Sequence, residues 1–115
     1  MFDPTYTEEQ TALVDTARKF TRDTIVPAAH EYDEKEEFPL PIFQAAFDLG
    51  LMNVEIPEAY GGIGLHTLDG CLVAEELAFG CPAVATSILC NHLGALPLMI
   101  AGTEEQKQKY LGWLN

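Results

Sequence analysis

Hydrophobic positions recur at helical spacing along most of the chain, and caps or prolines bound each run. Thr7 and Gln10 form a capping-box pattern ahead of the first run, where each side chain serves an unpaired backbone donor. Proline has no amide hydrogen, so Pro27 is predicted to end this helix and to open a second one that runs into the charged segment 33–37. The apolar positions of the first run are Leu13, Val14, Ala17, Phe20 and Ile25.

A short third helix is predicted after Pro39 and Pro41, with Gly50 at its C-terminal cap. Its apolar positions are Ile42, Phe43, Ala46, Phe47 and Leu49. Residues 51–64 carry one proline and three glycines and are predicted to form turns. A fourth helix is expected to run from a cap at Thr67 to about Gly80.

The next helix is predicted to begin near Pro82, and it is apolar on every face. Its apolar positions are Val84, Ile88, Leu89, Leu93, Leu96, Leu98 and Ile100. A helix of this kind is normally buried on all sides, which a chain of 115 residues can hardly arrange alone. We therefore expect further domains or a homo-oligomer to cover helix 83–100. A last helix, capped within 102–106, completes an all-α bundle of about six helices in one domain, 1–115.

Charge and composition narrow the classes of partner. The chain is 48% hydrophobic and carries a net charge of −12 from six basic and eighteen acidic side chains. This field would repel nucleic acids and acidic membrane surfaces. No run of eighteen apolar residues occurs, so no membrane span is predicted, and the N-terminal residues show neither a secretory nor a transit pattern. Cys71, Cys81 and Cys90 lack a disulfide or metal spacing and fit a reducing compartment.

The sequence offers few candidates for catalysis. The glycines at 61, 62 and 64 suit a phosphate loop, but no dinucleotide or P-loop motif accompanies them and a turn is favoured. Glu75 and Glu76 diverge by about 100° on a helix, so one exposed and one paired carboxylate are expected. Cys90 and His92 are offset by two positions, which disfavours a nucleophile–base pair. The histidines and cysteines lack zinc-ligand spacing. Neither a catalytic residue nor a metal site is predicted.

Taken in order along the chain, a series of short segments resembles the opening helices of the acyl-CoA dehydrogenases. These segments are TARKF at 16–20, IVPAAHEYD at 25–33, LGLMN at 49–53, IPEAYGGIGL at 56–65, EELA at 75–78, NHLG at 91–94 and AGTEEQKQKYL at 101–111. Each is weak alone, but together they keep the order and spacing of the family, nearest to its medium- and short-chain members. Trp113 departs from the pattern, since such enzymes often carry a basic residue there.

The resemblance implies that residues 1–115 form the N-terminal α-domain of a flavin-dependent enzyme. Family members remove two hydrogens from an acyl-CoA, pass a hydride to FAD and are reoxidised by an electron-transfer flavoprotein. Their flavin-binding β-domain and catalytic C-terminal domain lie beyond the region of resemblance, so we expect no cofactor bound by this chain alone. By resemblance, one face of the helix after Pro82 forms a wall of the acyl pocket. The residues of that wall are Ala85, Thr86, Leu89, Cys90 and Leu93.

Three interpretations remain open at this stage. The chain is a piece of a longer acyl-CoA dehydrogenase and inactive alone, a free-standing helical interaction or oligomerisation module, or one half of a split enzyme. The wall residues also have a plain alternative role as core or interdomain packing, because pockets and cores share composition. A bacterial cytoplasm is the expected location, with the mitochondrial matrix as the alternative.

Overall fold

The computed structural model describes residues 5–115. The first four residues, which contributed to the prediction that no secretory or transit segment is present, lie outside the described residues. The described chain is all-α, as predicted, and contains no strand. The seven α-helices are α1 Glu8–Phe20, α2 Val26–Lys35, α3 Leu40–Asp48, α4 Thr67–Gly80, α5 Pro82–Leu89, α6 Asn91–Ala101 and α7 Glu104–Leu111. A π-helical turn, Thr21–Ile25, joins α1 to α2, and a short 3-10 helix, Glu58–Tyr60, lies in the irregular segment.

The molecule is a flat slab of 42 × 38 × 21 Å. Because a helix with its side chains is about 10–12 Å across, the short dimension holds two layers of helices. Helix α4 is central and packs against α1, the π-helical turn and α5. The main core gathers around it and contains Phe20, Ile25, Leu51, Val73, Leu77 and Ile88. A second, smaller core of Ile56, Ala95 and Leu111 lies between the irregular segment, α6 and α7.

The prediction that Pro27 ends the first helix is wrong. The helix continues from Glu8 to Lys35, with the π-helical turn placed directly before the proline. In that turn the Val26 N–H donates to the carbonyl of Thr21, five residues back, so the hydrogen-bond register changes there. Pro27 then sits in the first turn of α2, where a missing donor costs little, and this part of the prediction is confirmed.

Local signals place most of the other helix ends. The capping boxes of Thr7 with Gln10 and of Thr103 with Gln106 are both formed. Gly50 follows α3 with a positive φ of 69°, as expected of a C-terminal glycine, although α3 itself begins at Leu40 and not at Ile42. Helix α4 is capped by His66 and not by Thr67. The reason is that the His66 N–H donates to Asp69 Oδ2 at 2.9 Å, whereas the Thr67 hydroxyl donates to Glu55 Oε2.

The single apolar helix predicted after Pro82 is two helices, α5 and α6, which meet at Cys90. The Leu93 N–H donates to the Cys90 carbonyl, a three-residue step that tightens the chain between them. Helix α6 also contains Pro97, which lacks a donor. By length and composition alone, Pro82–Ala101 qualifies as a membrane span, contrary to the sequence prediction, but one such stretch is weak evidence. Its residues Val84, Ala85 and Ile88 pack into the main core.

The irregular segment 51–65 is joined by hydrogen bonds to α7 and to the residues that follow it. Asn53, itself at a positive φ of 57°, donates its amide N–H to the Leu114 carbonyl, and the Tyr60 hydroxyl donates to Glu104 Oε2 at 2.8 Å. Gly62 lies so close to Ile56 that a Cβ there would be 1.9 Å from the Ile56 carbonyl oxygen. The turn therefore requires glycine for close backbone approach, as the sequence predicted for this segment.

Substitution of Gly62 tests this close approach. We expect Gly62→Ala to lower the free energy of unfolding by about 1–3 kcal/mol or more, because the added methyl group overlaps backbone that cannot move cheaply. Gly94→Ala is the matched control: a Cβ at Gly94 in α6 meets nothing within 4 Å, so the same change should stabilise the helix by about 0.5–1 kcal/mol. Urea unfolding of both variants measures the two changes. Equal effects would contradict this assignment.

The contact between Tyr60 and Glu104 has a pH signature. The Tyr60 hydroxyl, and after it Lys107, lowers the pKa of Glu104 below 4.5. Its contribution to stability is therefore complete above the unfolded pKa and lost as the pH falls through the lowered folded value. Tyr60→Phe should raise the pKa of Glu104 in a carboxyl NMR titration and reduce the acid-sensitive part of the stability. Tyr110→Phe, at a tyrosine without such a bond, should change neither. An unmoved Glu104 pKa in Tyr60→Phe refutes the assignment.

Candidate functional site

The five residues predicted to line an acyl pocket occupy two different environments. Ala85 is buried in the main core, and Leu89 is half-buried against it. Thr86, Cys90 and Leu93 are exposed. Thr86, Cys90 and Leu93 are therefore accessible to a ligand and Leu89 is partly so, whereas Ala85 is not. Their role toward a ligand stays a prediction.

This surface continues along α6 as an apolar strip. Within α6, positions 93, 96 and 100 are three or four residues apart and share one side of the helix, and on α5 positions 86 and 89 have the same relation. Leu93 and Ile100 are each 75% exposed, and Leu96 is also exposed. Ala95 alone among the α6 side chains is fully buried. We call Thr86, Leu89, Cys90, Leu93, Leu96 and Ile100 the outer face.

The outer face carries no charged side chain. Its polar groups are the Thr86 hydroxyl and the Cys90 thiol, and the thiol donates to the Ser87 carbonyl at 3.1 Å. The nearby His92 lies beside Glu55, with its Nε2 at 3.6 Å from Glu55 Oε2. The Cys90 thiol and the His92 ring thus contact different partners. The face can bind an apolar group by excluding water. Its one thiol, Cys90, has no imidazole or carboxylate of the face beside it to act as a base.

Comparison with known proteins decides the family. The family model for the acyl-CoA dehydrogenase N-terminal domain matches residues 7–114. The chain belongs to the acyl-CoA dehydrogenase family. A probable medium-chain specific acyl-CoA dehydrogenase of Caenorhabditis briggsae, described as mitochondrial, is 46% identical over 107 residues, which are 93% of this chain and 26% of that protein. The resemblance found in the sequence is thus confirmed.

Solved structures of the family share the fold of this acyl-CoA dehydrogenase domain. Butyryl-CoA dehydrogenase of Megasphaera elsdenii matches with a TM-score of 0.83 at 30% identity, over 98% of this chain and 30% of that chain. The acyl-CoA dehydrogenase of Bacillus anthracis, solved with FAD, matches with a TM-score of 0.77 at 30% identity, over 98% of this chain and 20% of that chain. The chain therefore spans a third or less of the relatives it matches.

The two adjacent carboxylates of this acyl-CoA dehydrogenase domain have the arrangement that the sequence predicts. Glu76 is paired: its Oε1 and Oε2 accept hydrogen bonds from Arg18 Nη2 and Nε at 2.6 and 3.1 Å. The Glu76 carboxylate raises the pKa of Arg18 above its ordinary value. Glu75 is exposed. The ion pair between Glu76 and Arg18 therefore links α4 to α1, and Glu75 is a solvated surface charge. The two glutamates do not form an acid–base pair.

The glycine-rich segment does not fit the pyrophosphate of a flavin dinucleotide. The N–H of Gly61 donates to the Glu58 carbonyl, that of Gly62 to Pro57 and that of Gly64 to Ile56. Loop amides that are already paired cannot wrap an anion. The outer face has no basic side chain to replace them. Neither of these two surfaces of the acyl-CoA dehydrogenase domain fits FAD.

Within residues 5–115, no three His, Cys, Asp or Glu side chains converge on a metal-binding geometry. The histidines are dispersed: His30 lies beside Glu34 on α2, His66 caps α4 and His92 lies beside Glu55. The cysteines in this part of the chain are free thiols.

Buried polar side chains are the features that sequence reasoning missed. Asp69 is buried and accepts from the Gln10 amide at 2.8 Å and from the His66 N–H, so it ties α1 to the start of α4. Thr21 and Asn53 are also buried, and Thr21 Oγ1 and Asn53 Oδ1 lack a hydrogen-bond partner. The position of Asp69, third in its helix, was the one available signal for a buried polar contact. An acceptor at that position commonly accepts a hydrogen bond from the backbone N–H of the capping residue.

The paired Glu76 and the solvated Glu75 allow a matched pair of substitutions that tests the ion pair between α1 and α4. Glu76→Gln should lower the urea midpoint of unfolding, because a neutral amide cannot accept both guanidinium hydrogen bonds of Arg18. Glu75→Gln makes the same chemical change one residue earlier and should alter the free energy of unfolding by less than about 0.5 kcal/mol. If Glu75→Gln were the more damaging of the two, the assignment of paired and solvated roles would be reversed.

Proposed function

We propose that this chain is the N-terminal helical domain of a flavin-dependent acyl-CoA dehydrogenase and that its outer face forms part of the wall of the acyl pocket. The observation that carries the proposal is the strip from Thr86 to Ile100, an exposed, uncharged and apolar surface in a chain that belongs to this family. Such a surface in the native protein calls for a ligand or another part of the protein to cover it. A fatty acyl chain has the required chemistry.

The role of the chain's own residues in this proposal is to bind and orient. Leu89 and Leu93 remove methylene groups of the acyl chain from water, which is worth about 0.8 kcal/mol for each CH₂ that becomes fully buried. The Thr86 hydroxyl is the one oxygen on this part of the face that can hydrogen-bond the polar end of a substrate. With no carboxylate on the outer face, this chain supplies no base for the α-proton. We assign that base and the flavin site to parts of a longer enzyme outside the matched region.

It follows that the 115-residue chain alone is not expected to dehydrogenate acyl-CoA. The relatives named above are three or more times as long, which supports a longer enzyme. We propose an electron-transfer flavoprotein as the partner that reoxidises this enzyme. A split enzyme, with the other domains on a second polypeptide, is the second candidate, because it would cover the same face. We also propose that the protein is located in a bacterial cytoplasm, with the mitochondrial matrix as the alternative. The free thiols favour a reducing compartment of this kind.

The acyl-wall proposal predicts a change in chain-length preference. In the enzyme purified from its native source or expressed at its native length, Thr86→Trp should fill part of the pocket. We expect the ratio of kcat/KM for octanoyl-CoA to that for butyryl-CoA to fall by about tenfold, which corresponds to roughly 1.4 kcal/mol of transition-state binding. Thr16→Trp, at an exposed threonine on α1, is the control and should leave the ratio unchanged.

Two results would contradict the proposal. One is an octanoyl-to-butyryl ratio that Thr86→Trp leaves unchanged while the variant remains folded by circular dichroism. The other is turnover by the purified 115-residue chain with added FAD, acyl-CoA and an artificial electron acceptor.

A further inference from the structure

A separate groove opens on a side of α5 adjacent to the outer face. It lies between the C-terminal end of α2 and the N-terminal half of α5 and has a volume of about 850 Å³. Tyr32, Phe38 and Val84 give it apolar walls, and the Asp33, Glu36 and Glu37 carboxylates stand among its lining residues. Phe38 is exposed, and its ring packs against the ring of Phe43, with the two centroids 5.1 Å apart.

The groove does not belong to the proposed acyl wall. Its lining on α5 includes Ala83 and Ser87, which are four residues apart and share one side of the helix. Thr86 lies about 100° around the helix from Ser87, and Leu89 lies about 200° from it. Helix α5 therefore presents the groove and the outer face to different neighbours.

The electrostatics of the groove select its occupant. Glu36 ends α2 in the left-handed conformation, with φ of 52°, so the negative end of the helix dipole faces the same region as the three carboxylates. Nearby Lys35 does not offset them, because its ammonium is paired with Glu31. Polyanionic ligands such as coenzyme A or nucleic acid would be repelled. A second copy of the chain, with a net charge of −12, would be repelled as well.

We propose that this groove binds a basic amphipathic helix of a partner protein. Apolar side chains of the helix would fill the space between Tyr32, Phe38 and Val84, and lysine or arginine side chains at its edges would reach Asp33, Glu36 and Glu37. A groove between two helices accepts a third helix in this way, and the aromatic walls also suit the stems and charges of basic side chains. The proposal does not depend on the acyl-wall function, because it concerns another face of α5.

The test uses the 115-residue chain and a fluorescent 18-residue helical peptide of leucine and lysine, with a leucine and glutamate peptide of the same pattern as its counterpart. We expect the lysine peptide alone to bind, with NMR shift changes centred on Tyr32, Phe38 and Ser87. Ala83→Trp, which fills the groove from an exposed position, should weaken binding at least tenfold. Asp33→Lys combined with Glu37→Lys should do the same.

Glu8→Lys combined with Glu9→Lys is the matched control, since it reverses the same number of charges at the exposed start of α1. This control should change affinity less than threefold. Equal weakening by both double variants would show attraction by net charge only and would overturn the proposal. So would binding of the glutamate peptide, absence of binding by folded wild-type chain, displacement by octanoyl-CoA, or a dimer in sedimentation that Ala83→Trp abolishes.

Discussion

The constraint on which this structure depends is that the chain from Pro82 to Ala101 is more apolar than the rest of the molecule can bury. A slab 21 Å thick has room for two helix layers, and α4 already occupies the centre. Helix α5 can turn Val84, Ala85 and Ile88 into the main core, but α6 is left at the edge. Leu93 and Ile100 therefore remain in solvent, and the need to cover them leads to the proposed role as the wall of a larger site.

The three sides of helix α5 have different surroundings. One side contributes to the core through Val84 and Ile88, a second carries Thr86 and Leu89 toward the outer face, and a third lines the acidic groove through Ala83 and Ser87. Eight residues make little more than two turns, so each side is defined by only two or three side chains. Single substitutions on α5 can thus separate packing, ligand binding and partner binding.

Local chemistry explains why much of the fold was predictable. Thr7 with Gln10, Thr103 with Gln106 and Gly50 act within one helical turn, and each forms as the pattern predicts. The failures are non-local or depend on backbone geometry. The helix continues through Pro27 by means of a π-helical turn, and such a turn has no sequence period of its own. Gly80 at the end of α4 lies against Thr21 of this turn, and there is no room for a Cβ on residue 80. The small core of Ile56, Ala95 and Leu111 joins segments far apart in sequence. At the candidate site, family resemblance pointed to the helix after Pro82, and its role toward a ligand stays a prediction. The burial of Ala85 could not be read from that resemblance, because it follows from packing in the main core.

The intact mass of the protein in its native source is the most direct test of whether the exposed outer face belongs to a larger enzyme. If the chain is one domain of a longer acyl-CoA dehydrogenase, the mass should be roughly three to four times 12.6 kDa, since the chain spans 26% of the Caenorhabditis briggsae relative and 30% of butyryl-CoA dehydrogenase. The same material should carry a flavin absorbance spectrum. A native monomer of 12.6 kDa with no flavin-bearing partner would contradict the account, because the outer face would then remain uncovered in the cell.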